Sequence, residues 1–362
     1  MLKYFEEIPI IRSIATLFIV CVHLSVSYTN SENNHNMTIL AGYLSQIGRL
    51  GTPVFAVISA FLLTHSVLKR GFDLNYFAKS RFTKIFVPYI IWTTVYLYYL
   101  GVVEVNLDSN KNFISYYLFG TGNYHLYFIL TVLQFYILFP FLQKIKKGIP
   151  LLLTYLLFTF ITILWQLNYE HISIDIPVIG TFITSRAFIL NWISYFILGI
   201  IFAKYYEEIN SLIKKYIKLF LPAIVVVFIS FLLFIDLDYF VTSSHPAFLL
   251  YTPFFLIFLI YFYFLIRKNK LLMKTLTLIG NYSMGIYLVH PLVKWLVLKI
   301  SIFDNRDSIL LYGLSYIIIV GLSVLVIHLL IKIPNGNYIV PVPRKPKLKS
   351  NPTQYFRSKP SS

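Results

Sequence analysis

Long apolar runs alternate with short polar stretches along nearly the whole chain. A run near 20 residues suits a helix that crosses a hydrocarbon core at ~1.5 Å rise per residue. Ten such runs predict ten transmembrane helices, over 8–28, 48–68, 84–103, 124–143, 149–167, 187–205, 217–236, 247–266, 278–298 and 309–331. The starts at 48 and 278 are the least sharply marked. The expected fold is an all-α integral membrane protein, a polytopic bundle of about ten helices within residues 1–332. From Ile333 onward the chain is rich in Pro, Lys and Ser, with Arg344, Lys345, Lys347 and Lys349 clustered. That composition predicts a disordered basic tail over 333–362, read first as a solvated topology anchor and second as a segment that binds the anionic inner leaflet. No internal repeat and no second soluble domain is visible.

Composition agrees with a membrane protein. The chain is 58% hydrophobic and 12% charged, against about 25% charged in soluble domains, and its mean hydropathy is +0.73. A net charge of +17 would suit nucleic acid, but the positions of the cations argue for topology instead. They gather in alternate loops: Lys69, Arg70, Lys79, Arg81 and Lys84; Lys144, Lys146 and Lys147; Lys204, Lys214, Lys215 and Lys218; Arg267, Lys268, Lys270 and Lys274. The intervening loops carry Glu32, Glu104, Asp108, Glu170, Asp175, Asp236, Asp238, Asp304 and Asp307. By the positive-inside rule both termini are expected in the cytoplasm, and an even number of spans agrees in putting them on the same side. Glu6 and Glu7 stand where a signal peptide would be basic, and no small-residue cleavage site follows, so the first span is read as retained. The lone Cys21 permits no intrachain disulfide. Frequent Lys, Ile, Asn and Tyr point to an AT-rich bacterial genome, and hence to a bacterial plasma membrane.

Candidate chemistry begins in the first span. Arg12 and His23 both fall inside an apolar run, where ionisable side chains are costly and mark functional sites. On one helix the imidazole stands ~16 Å above the guanidinium. A cation at one depth and a proton acceptor half a bilayer away suit a ligand with an anionic head and a reactive far end. The bland alternative has Arg12 snorkelling to the interface and His23 bonding a neighbouring helix.

Other blocks are weaker alone. Gly48-Arg49-Leu50-Gly51-Thr52-Pro53-Val54-Phe55, followed by Ser59-Ala60-Phe61, reads as a small-residue packing seam with a kink. Arg81 and Lys84 share a helix face, and serve either to hold phosphates or to fix topology. Asn123-Tyr124-His125-Leu126 opens the fourth run. Asn281-Tyr282-Ser283-Met284-Gly285-Ile286-Tyr287-Leu288-Val289-His290-Pro291 lies in the ninth, where His290 could shape a pocket or cap a helix. His65 and His328 sit near cytoplasmic ends. His35, His171 and His245 lack ligand spacing, so no metal site is expected.

Taken in order, these blocks resemble the acyltransferase-3 family of membrane O-acyltransferases. The Arg12-to-His23 spacing, the glycine block with Ser59-x-Phe61, the basic stretch ending in Pro88-Tyr89, His125-Leu126 and the Tyr282-to-Pro291 block all take part, over roughly Ile8 to Leu330. Gly51-Thr52-Pro53-x-Phe55 and Ile302-Phe303-Asp304-Asn305 more loosely resemble a staphylococcal branch tied to cell-surface poly-N-acetylglucosamine, where both export and O-succinyl transfer are implied. Ser59-Ala60 replaces the family's Ser-Gly, and Arg81 with Lys84 replaces its Arg-x-x-Arg, which weakens bidentate phosphate gripping.

The resemblance implies transfer of an acetyl or succinyl group from cytosolic acyl-CoA to a hydroxyl of an extracytoplasmic polysaccharide, with no permanently bound cofactor. His23 would be the general base. Arg12, with Arg81 and Lys84, would hold the CoA phosphates. Arg49, His125, Arg186, Tyr287 and His290 would line the acceptor side. Without a fused extracytoplasmic domain, the glycan acceptor is expected to reach the membrane domain directly or through a separate transfer protein; a polysaccharide synthase is another expected partner. A second reading is a polysaccharide exporter without covalent chemistry, favoured by the many aromatic residues. A proton-coupled transporter ranks last, because the spans hold essentially no carboxylates.

Overall fold

The computed structural model describes residues 5–29, 34–104, 107, 111–172, 176–237 and 239–343. Glu32, Asp108, Asp175, Asp238 and the basic cluster from Arg344 to Lys349 lie outside them. Among the described residues the fold is wholly helical, with fourteen α-helices: α1 Glu7–Ser25, α2 His35–Gly48, α3 Gly51–Arg70, α4 Leu74–Arg81, α5 Val87–Tyr98, α6 Phe113–Phe119, α7 Tyr127–Leu142, α8 Ile149–Asn168, α9 Pro177–Ile183, α10 Ile193–Lys204, α11 Tyr206–Phe234, α12 Ala247–Ile266, α13 Lys270–Leu298 and α14 Ile309–Leu330. Each predicted apolar run falls on one of these helices.

Seven helical stretches are long and apolar enough to cross a membrane, by length and composition alone. Helices α7 and α10 are shorter, at 16 and 12 residues, and α13 is long but interrupted by Asn281, Ser283 and His290. Helix α2 was not expected. It runs into α3 with only Arg49 and Leu50 between them, so the second apolar run is the later part of a longer segment.

The polar breaks in the sequence appear as caps. Side chains of Asn34, Asp73, Asn112, Asn269 and Ser308 accept the first free N–H groups of α2, α4, α6, α13 and α14, as short polar residues do at helix starts. Gly71, with φ of 75°, ends α3 in a conformation that other residues reach only with strain.

Helix α1 is central, packed against α13, α2, α3, α12 and α14. Its closest neighbours approach over glycine. A Cβ at Gly51 would stand 2.6 Å from the carbonyl oxygen of Ala15, and one at Gly280 would collide with Pro9. The glycine block is therefore the packing seam its composition suggested. Where Ala60 replaces the expected glycine, the close approach is supplied from the opposite side: Gly199 of α10 sits against Val57 and Ala60.

Helices α8 and α11 form the outside, with large apolar side chains such as Leu153, Phe160, Leu219, Val226 and Leu233 exposed. Apolar faces of that extent do not stand in water. The first residues of the expected tail are folded: Gly336–Tyr338 make a 3₁₀ turn, Val340 is buried, and Trp92 Nε1 donates to the Ile339 carbonyl at 3.0 Å.

Candidate active site

Two prolines shape the site. Pro53 cannot donate to the carbonyl four residues back, and its ring crowds that carbonyl. The residue four back is Arg49. The helical run from His35 to Arg70 accordingly breaks at Arg49-Leu50, and Pro53 falls in the first turn of α3, where its missing N–H costs nothing. Arg49 is thereby left at a helix junction, on the wall of a cavity of about 250 Å³.

Pro291 acts in the same way on α13. It leaves the Tyr287 carbonyl without its helical donor. The His290 ring fills the gap: Nδ1 lies 2.9 Å from the Ile286 carbonyl and 3.0 Å from that of Tyr287. A ring nitrogen facing two carbonyl oxygens must carry the proton, so Nε2 is the acceptor in the neutral ring. That Nε2 is buried and unpartnered. The His-Pro pair thus fixes a tautomer.

Three imidazoles meet beside the cavity. His23, in the last turn of α1, stacks on His290 with ring centres 5.3 Å apart and planes 25° apart. His125 stands edge-on to His290 at 5.6 Å, and the Tyr287 hydroxyl donates to its backbone carbonyl. Both ring nitrogens of His125 are buried and unpartnered. Tyr124 packs on the His23 ring at 4.6 Å. Among the described residues, no three His, Cys, Asp or Glu side chains converge closely enough to hold a metal.

The cavity wall is cationic. Arg49, Arg186 and Lys294 line it together with His23 and His125, and among the described residues no Asp or Glu does. Lys294 Nζ donates to the His23 carbonyl at 2.9 Å and to Ser27 Oγ at 3.4 Å, and lies 5.3 Å above the Tyr124 ring. Tyr127, Tyr287, Thr52 and Ser243 complete the polar lining. A second cavity, about 520 Å³, lies on another face of α1; Leu17, Phe18, Phe255 and Phe258 are typical of its walls, and it offers no comparable chemistry.

Of the residues singled out from sequence, His23, Arg49, His125, Arg186 and Tyr287 come together on one wall, and His290 stands directly behind His23. Arg12, Arg81 and Lys84 do not line this cavity. Arg12 turns into the bundle, where its Nε and Nη2 donate to Ser283 Oγ at 3.0 and 2.6 Å. Arg81 bonds Ser80 at 3.0 Å and lies 5.5 Å from the Tyr136 ring on α7, while Lys84 is exposed. Lys294 was missed, although it is the one charged residue in the run 278–298, the criterion that marked Arg12. Ser243 lies in a loop and carries no signal in the sequence.

Residues 5–328 match a protein family described as an acyltransferase domain, the acyltransferase-3 family. A Staphylococcus aureus protein named probable poly-beta-1,6-N-acetyl-D-glucosamine export protein is 26% identical over 331 residues, covering 90% of this chain and 92% of that protein. Its namesake in Staphylococcus epidermidis is 28% identical over 330 residues, covering 88% and 89%. No solved structure matches the chain.

Proposed function

The chain belongs to the acyltransferase-3 family, and from that premise we propose that it is a membrane O-acyltransferase of the bacterial plasma membrane. It takes an acetyl or succinyl group from cytosolic acyl-CoA and places it on a hydroxyl of a cell-surface polysaccharide. The observation that carries this reading is the cluster of His23, His125 and His290, the first two lining one cationic cavity at the end of α1 remote from Arg12 and the third packed against both.

With ten spans and cytoplasmic termini, that cavity faces outward. Arg12, helped by Arg81 and Lys84, holds the CoA phosphates near the inner face, and the pantetheine arm runs along α1. His23 takes the proton from the acceptor hydroxyl as its oxygen attacks the thioester carbonyl. The C–S bond breaks, an ester forms, and the departing thiolate takes up a proton. A positioned base of this kind contributes ~10²–10⁴-fold. His290, held in one tautomer by the Ile286 and Tyr287 carbonyls, supports the His23 ring from behind. The acceptor comes from a polysaccharide synthase or a separate transfer protein outside the membrane.

A second reading rests on the relatives' names: export of a poly-N-acetylglucosamine-like polymer without covalent chemistry. The two separate in cells. Mild alkali should release a small acid from the surface glycan of a strain carrying the chain, and not from a His23→Gln strain with the same amount of polymer. Unchanged ester with loss of surface polymer would favour export.

A further inference from the structure

We infer that the cavity binds a carboxylate carried by the substrate itself, next to the reacting hydroxyl or thioester. This deepens the reading above and rests on its placement of the reaction at His23. Three cations from three separate elements face one small space: Arg49 at the α2–α3 junction, Arg186 in the loop before α10, and Lys294 on α13. Among the described residues, no acidic side chain lines that space. The Nε of Arg49 is buried with no hydrogen-bond partner. Leaving a buried donor of a charged group unpaired is costly, so the wall is complete only when an anion enters.

The guanidinium fork matches a carboxylate, and Arg186, exposed at the rim, can meet one as it arrives. The charge also selects against a class. An amine-bearing sugar would bring an ammonium group towards three cations, and like charges in a partly dehydrated site repel strongly. The carboxylate has two possible sources, the far end of a dicarboxylic acyl group or an acid on the acceptor sugar. Either places the anion within a few bonds of the reacting atoms at His23.

Binding can be read without any acyl transfer. Purified full-length protein in lipid nanodiscs would be titrated with monomethyl succinate and with methyl glucuronide, each beside its uncharged counterpart, dimethyl succinate and methyl glucoside. At least one carboxylate should bind about tenfold more tightly than its counterpart, the gain expected of charge-assisted hydrogen bonds. Tighter binding of the succinate identifies the acyl group as the source, and of the glucuronide the acceptor. Arg186→Gln, at the exposed rim, should lose most of the preference without disturbing the fold, and Arg49→Gln should remove it. Equal binding of charged and neutral probes, no binding of either acid, or a preference that survives both substitutions overturns the inference. A native protein that forms the ester but shows no preference for either acid sinks this inference alone; a native protein that prefers an acid but forms no ester sinks the enzymatic reading alone.

Discussion

Lys294 donates to the backbone of His23 and not to its ring, so the imidazole remains available to a substrate proton while a positive charge stays close by. Two expectations follow for single side chains. His23→Gln keeps the shape but removes the base, and ester formation should fall ~10²–10⁴-fold with expression unchanged. Lys294→Met should lower the transfer rate about tenfold, the usual scale for losing one charge-assisted hydrogen bond, as measured in membranes with a saturating donor. At this scale the sequence was informative wherever a polar residue interrupted an apolar run, because burial there needs a reason. It therefore singled out His23 and Arg12, and the same signal was there for Lys294. It could not show that Arg12 binds Ser283, a partner 271 residues away. Nor could it bring Ser243 to the cavity, since a loop serine is unremarkable in any sequence.

Helices carry the next level of control, through glycine and proline. Gly51→Ala would press a methyl group against the Ala15 carbonyl. It should cost about 1–3 kcal/mol of stability, seen as a lower unfolding midpoint in detergent. Pro291→Ala restores a donor for the Tyr287 carbonyl and competes with His290 Nδ1 for it. The unfolding midpoint should hold or rise while transfer drops. At the end of the π-helical turn Tyr99–Val103, Glu104 accepts hydrogen bonds from Tyr99 at 2.7 Å and Trp295 at 2.5 Å. Those two bonds, Tyr99 first, hold its carboxyl below the ordinary carboxylate value of 4.5. A lowered folded value means that the clasp is at full strength above 4.5 and is lost as pH falls through the lower value. Trp295 emission should therefore change on acidification below that range, and Glu104→Gln should remove the change. Helix positions were legible from the apolar runs, but α2 was not, because α2 and α3 form one stretch that only Pro53 divides. The packing seam was legible in Gly48 and Gly51; the compensating Gly199 was not, since nothing in sequence pairs α3 with α10.

At the scale of the whole molecule, acyl transfer to a surface polymer requires a cavity facing outward and a donor arriving from within. Topology can be tested with the lone cysteine removed by Cys21→Ser. A membrane-impermeant maleimide applied to intact cells should label Ser301→Cys, in the loop before α14, and should spare Lys146→Cys, in the loop before α8, until the cells are opened. The alternation of loop charges is what predicts this orientation, whereas the choice between transfer and export has no such signal, because a polytopic helical bundle serves both. That choice turns on the fate of the acyl group. In sealed proteoliposomes loaded with labelled acetyl-CoA or succinyl-CoA and bathed in polysaccharide, the native chain should deposit alkali-labile label on the outer polymer, and the His23→Gln chain at least about a hundredfold less. Equal labelling by both chains, or polymer crossing the membrane with no ester formed, would contradict the account.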